Sequence, residues 1–101
     1  MTAYNVVKFR VKPGEQGQFE SWYRELPRNF DGLRKVSLIK TGERHYCAIG
    51  EWESFDHMVA ARPLMVGNLE KFRHTLEDLG EERGVTDAVS GEAIYESVPN
   101  K

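Results

Sequence analysis

The sequence predicts one α+β domain with the element order β-α-β-β-α-β and a four-stranded antiparallel sheet. Three observations carry this. Residues 4–12, YNVVKFRVK, alternate with the two-residue period of a strand. Residues 33–52 hold two β-suited runs joined by a short polar loop. Residues 15–26 and 55–79 carry apolar side chains at helical spacing, one stretch before that hairpin and one after it. With 101 residues and 40 % hydrophobic content, a single domain over residues 1–101 with its own core is expected.

Each element follows from its residues. In the first strand Asn5, Val7, Phe9 and Val11 share one face, and Tyr4, Val6, Lys8 and Arg10 share the other. Pro13-Gly14 ends it, because proline has no amide hydrogen for the ladder. Phe19, Trp22, Tyr23 and Leu26 then mark a helix laid on a core. Pro27 stops that helix, and Asn29-Phe30-Asp31-Gly32 turns the chain into the hairpin. The hairpin strands are residues 33–40 and 45–52, with the loop Thr41-Gly42-Glu43-Arg44 between them.

After Trp52 the period changes to that of a helix. Ser54 is a suitable N-cap for a short helix over residues 55–61. Arg62-Pro63 is expected to interrupt it, with a second helix over residues 64–79 on the stripe Met65, Leu69, Phe72, Leu76 and Leu79. Gly80 suits the helix C-terminus, and residues 81–87 read as a charged linker. A last strand is expected over residues 88–98, followed by a frayed tail. This is the ferredoxin-like, split βαβ layout. Helices on one face leave the other face open and partly apolar, so a homodimer joined through the open sheet face is expected.

The bulk numbers exclude several function classes. Fourteen basic and sixteen acidic residues give a net charge of −2 with both signs interspersed, which argues against nucleic acid as a partner. No apolar run reaches the roughly 20 residues of a membrane span. The opening MTAYNVVKFR lacks the basic-then-apolar order of a signal peptide, so a cytoplasmic setting is expected. Cys47 is the single cysteine and lies in a strand, which fits a small buried apolar residue. No phosphate loop, serine elbow or metal-ligand spacing is present, and no metal site is expected.

Several segments carry a family resemblance: Asp31-Gly32-Leu33 entering a strand, Ala48-Ile49-Gly50-Glu51-Trp52-Glu53-Ser54 closing the third strand, and Ser90-Gly91-Glu92 before the end of the chain. The chain resembles the antibiotic biosynthesis monooxygenase-like domains of the dimeric α/β-barrel superfamily over nearly its whole length. The resemblance implies a dimer with a small-molecule pocket between each sheet and its own helices. Some members oxidise phenols to quinones with O₂ and no cofactor, and others cleave haem. Trp52 matches the pocket tryptophan of the cofactor-free members. Ala48 and Met58 stand where those members carry an asparagine and a tyrosine.

The resemblance therefore implies a cofactor-independent monooxygenase acting on a small phenol- or quinol-type substrate. Asn5 and Trp52 are the candidate catalytic residues, with Asn5 orienting the substrate oxygen. Tyr46, Trp22, Met58, Arg62, Asn68 and Phe72 are the candidate substrate-binding residues, Arg62 offsetting anionic charge. The alternative is a non-catalytic small-molecule-binding or dimerisation module of the same fold. No cofactor is expected. His57 and His74 lie opposite their helices' apolar stripes and His45 lies beside a turn, which argues against a haem ligand.

Overall fold

The computed structural model describes residues 1–80 and 84–99. Its elements are β1 (Ala3–Arg10), α1 (Gln16–Glu25), β2 (Leu33–Lys40), β3 (His45–Trp52), α2 (Phe55–Phe72), a 3₁₀ turn (Arg73–Thr75) and β4 (Asp87–Glu92). The strands form one antiparallel sheet in the order β2-β3-β1-β4. This is the expected ferredoxin-like arrangement, with β1 and β3 central.

The register decides what the helices cover. Asn5 lies opposite Gly50 on one side and Ser90 on the other, and Val7 lies opposite Ala48 and Ala88. Because side chains alternate, Ala3, Asn5, Val7 and Phe9 share a face with Tyr46, Ala48, Gly50 and Trp52. That face packs under α1 and α2. Phe9, Phe19, Leu26, Tyr46, Phe72 and Leu76 form one buried cluster there, and Ala3, Trp52, Met58 and Ala61 form a second. Helix α1 supplies Phe19, which is fully buried.

Helix α2 begins at a cap that also ties it to the sheet. Ser54 Oγ accepts the His57 amide hydrogen at 3.2 Å and lies 2.6 Å from His57 Nδ1. The His57 ring packs on Gly32, whose φ is +82° and where a Cβ would overlap the ring. His57, expected on an exposed face, is therefore half-buried.

Three boundaries differ from the sequence expectation. Residues 55–72 form one continuous helix with Pro63 inside it. Pro63 lies on the exposed side, where solvent can reach the Val59 carbonyl that loses its donor. The helix ends at Phe72, not Leu79. Thr75 Oγ1 donates to the Phe72 carbonyl at 2.6 Å, and Leu76 then pairs with Val11 as an extended bridge. The Glu77 amide donates to the Arg10 carbonyl at 2.7 Å, which holds this segment against the end of β1. Leu76 is thus buried as its spacing suggests, but by extended backbone. The last strand stops at Glu92 because its partner ends there: Ala3, opposite Glu92, is the first residue of β1. Beyond it the Ala93 amide donates to the Thr2 carbonyl, and Ile94, Tyr95 and Val98 are exposed. Residues 81–83 of the expected linker, and Asn100 and Lys101 of the expected frayed tail, lie outside the described residues.

The other face of the sheet carries no helix. Ile39 and Val89 are exposed on it, Val6 and Ile49 are partly buried, and Cys47 is buried as expected. Among the described residues, no helix is long and apolar enough to cross a membrane.

Candidate functional site

A cavity of about 440 Å³ lies between the helix-covered sheet face and the two helices. That size falls within the roughly 300–1,000 Å³ of small-molecule pockets. Its floor is Asn5, Val7, Ala48 and Gly50, and its roof is Met58, Met65 and Leu69 of α2. Phe9 and Phe72 close one end with their rings 5.7 Å apart, and Trp52 and Phe30 close the other. The wall is mainly apolar, so its few polar groups fix what it can recognise.

The floor is built around one hydrogen bond. The Trp52 indole N–H donates to Asn5 Oδ1 at 2.7 Å. Trp52 is 1 % exposed, and Phe30 stacks on its ring at 6.1 Å with the planes 10° apart. Gly50 makes the bond possible. A Cβ at Gly50 would overlap Asn5 Oδ1 and stand 3.0 Å from Trp52 Nε1. A strand glycine here lets the Asn5 amide lie flat over the neighbouring backbone. The bond also assigns the amide: Oδ1 is taken by the indole, so Nδ2 is the donor that Asn5 can offer a ligand. Even a half-buried amide on an apolar strand face is costly unless so paired.

Two arginines, a second asparagine and the hydroxyls of Tyr23, Thr86 and Ser90 are the other polar groups of the wall. Arg28 donates to the carbonyls of Tyr23 and Leu26, and its guanidinium carbon lies 4.4 Å from the centre of the Tyr23 ring. It thereby caps the end of α1, where the Tyr23 carbonyl also accepts the Leu26 amide hydrogen at 3.4 Å. Tyr23 also lines the cavity, and burial raises its phenol above the ordinary value while Arg28 pulls the other way. Asn68 Nδ2 donates to the Pro27 carbonyl at 3.0 Å and ties α2 to the loop after α1. Arg62 lines the cavity and makes no ion pair among the described residues. The described wall contains no Asp, Glu, His or Cys. No group of three metal-binding side chains occurs among the described residues. What the wall offers is an amide donor beside a fixed indole, two cations and a slot for a flat apolar body.

Six of the eight candidate residues thus come together in this wall: Asn5, Trp52, Met58, Arg62, Asn68 and Phe72. Two do not. Trp22 sits on the flank of α1, 40 % exposed and edge-on to His74 at 6.1 Å. The core side of that helix is taken by Phe19, Tyr23 and Leu26. Tyr46 is buried but points to the other side of the Phe19 ring, which lies 4.7 Å away. Its hydroxyl donates to Glu20 Oε2 at 2.6 Å, in a separate shallow cleft beside Lys40. Burial, and then the Glu20 carboxylate, push the Tyr46 phenol up to about 12. Glu20, expected as a solvated helix residue, is half-buried by that contact. Phe30, Gly50 and Arg28 were not among the sequence candidates. Gly50 alone left a signal, as a glycine inside a strand, two residues before Trp52.

No family model matches the chain, and no curated protein matches it. Solved structures do. SnoaB, a cofactor-independent oxygenase from Streptomyces nogalater, superimposes with a TM-score of 0.74 at 18 % identity, over 98 % of each chain. A candidate antibiotic biosynthesis monooxygenase from Bordetella bronchiseptica gives 0.73 at 16 % identity, over 93 % of this chain and 98 % of that one. Another, from Chloroflexus aurantiacus, gives 0.71 at 11 % identity, over 97 % and 98 %. Along almost all of its length the chain has the fold of the antibiotic biosynthesis monooxygenase-like domains.

Proposed function

We propose that the protein is a cofactor-independent monooxygenase acting on a small phenol- or quinol-type compound. The observation that carries this reading is the Asn5–Trp52 pair, held over Gly50 at the floor of an apolar cavity. An aromatic substrate would lie flat between the sheet and the α2 methionines. The Asn5 Nδ2 hydrogens would bind its oxygen and stabilise the negative charge that this oxygen carries once the substrate has lost a proton to solvent, the anionic form that then passes electrons to O₂. One oxygen atom then becomes the new carbonyl, and the other leaves as water with two substrate hydrogens. The likeness to SnoaB supports a reaction of this class and the absence of a cofactor. Trp52 is a positioning residue in this scheme, because its indole N–H is committed to Asn5.

The test is oxygen consumption with anthrone under air, with and without a metal chelator. Protein-dependent uptake unaffected by the chelator is expected. Asn5→Ala should lower it about 100-fold, the usual effect of removing one donor to a developing oxyanion. Ligand binding with no protein-dependent uptake would contradict the reading and leave a binding module.

The working unit in this proposal is a homodimer. Val6, Ile39, Ile49 and Val89 form an apolar patch on the sheet face without helices, suited to a second copy of itself. Light scattering at micromolar concentration should give twice the chain mass, and the monomer mass would contradict it. A reducing, cytoplasmic setting suits the single buried thiol.

A further inference from the structure

We infer that the ligand of the cavity is an aromatic carboxylate, with its charge held by Arg62 at a mouth over β4. This rests on reading the cavity as a ligand site, and not on the oxygen chemistry. The chain carries more acidic than basic residues, yet the described cavity wall contains two arginines and no carboxylate. The two arginines are not equivalent. Arg28 is spent on the Tyr23 and Leu26 carbonyls and on the Tyr23 ring. Arg62 has no such partner among the described residues and is exposed.

The mouth lies where Arg62 can use that freedom. Ala88 and Ser90 belong to the helix side of the sheet by their pairing with Val7 and Asn5, yet both are exposed, so no helix covers β4. On α2, Asn68 faces the loop after α1, where it bonds Pro27. Arg62 and Val66 occupy the opposite flank, at about 100° per residue along the helix. They therefore border the β4 opening with Thr86 and Ser90, whose hydroxyls are neutral donors. Asn5 lies directly across the register from Ser90. A ring system entering here would reach the Asn5 amide while its acid group stayed at the mouth. A single uncommitted guanidinium matches a single planar carboxylate, which it can bind through two N–H groups. A doubly charged phosphate would leave one charge unbalanced.

The experiment is calorimetric titration of the full chain with 2-naphthoate and with its neutral isostere, 2-naphthamide. The wild-type protein should bind the acid roughly tenfold more tightly, the usual advantage of a hydrogen bond to a charged group. Arg62→Gln should bring the ratio to about one, and Arg62→Lys should restore part of it. High salt should narrow it, because the mouth is solvent-exposed. The ratio is read within each variant, so a loss of folded protein does not mimic the result. Equal affinities in the wild type, no binding of the acid at millimolar concentration, or a preference that survives in Arg62→Gln would each overturn the inference. Oxygen uptake without charge preference would defeat this inference alone. Charge preference without oxygen uptake would defeat only the oxygenase reading.

Discussion

The two ends of the core are built from similar residues and used in opposite ways. At the Phe9–Phe19–Phe72 end, rings pack at centroid separations of 5.5 to 5.7 Å. Its polar tip, the Tyr46 hydroxyl, is sent outward to Glu20. At the Trp52 end the polar atoms turn inward: the indole N–H meets Asn5, and Asn5 faces the cavity. The first arrangement removes polar groups from the interior and favours stability. The second keeps a half-buried amide on an otherwise apolar strand face. Its worth is in what it can hold.

The largest expected effect would show the first end to be structural. Phe19→Ala removes a fully buried ring and should cost about 3–5 kcal/mol in chemical denaturation. Restoring most of that stability with Phe19→Leu should leave ligand binding intact. A stable Phe19→Leu protein that had lost binding would blur the division. At the other end, Trp52→Phe keeps an apolar ring but leaves Asn5 Oδ1 without its donor. It should cost about 1–3 kcal/mol of stability and loosen ligand binding as well.

Tyr46→Phe should cost about 1–2 kcal/mol, since it removes one hydrogen bond to a carboxylate, and should leave binding unchanged. The same bond sets an alkaline limit. The folded phenol is held neutral up to about 12, above its ordinary value near 10. The stabilisation is complete below about 10 and is lost as the pH rises towards 12. Melting curves over that range should fall more steeply for the wild type than for Tyr46→Phe. A weaker acid-side effect is expected at Glu77. Its hydrogen bond with Arg44, aided by Arg10, holds the carboxyl below its ordinary value. That contribution is present above the ordinary carboxylate value and lost as the pH falls through the lowered one. Glu77→Gln should flatten the acid side of the melting profile. The smallest effect belongs to Trp22→Phe, which should change neither stability nor binding by more than about 0.5 kcal/mol.

What was legible in the sequence follows the same division. The alternation from Asn5 to Val11 placed Asn5 on the helix-covered face, because a two-residue period leaves no choice of side. Phe19, Tyr23 and Leu26 were equally plain. Pro63 misled because proline's cost depends on whether solvent can reach the freed carbonyl, which no local pattern records. Leu76 fitted a helical stripe but is buried by pairing with Val11, a contact set by β1 and invisible to spacing. Trp22 was read as core because a flank and a face differ by only about 60° on a helix. Phe30 sits in a turn, so its stacking on Trp52 follows from tertiary placement alone. The role of Gly50 needed the strand register, which sets it opposite Asn5.

If the Asn5 amide over Gly50 is the working part of the cavity, Gly50→Ala should disable the anthrone oxygen uptake. The added methyl meets the far end of the Asn5 side chain, so the amide is pushed aside while the strand keeps its place. About a 100-fold loss of uptake is expected, matching Asn5→Ala, with a stability loss of about 1–3 kcal/mol, like that of Trp52→Phe, because the bond to the indole is broken. Uptake at the wild-type rate in Gly50→Ala would contradict it.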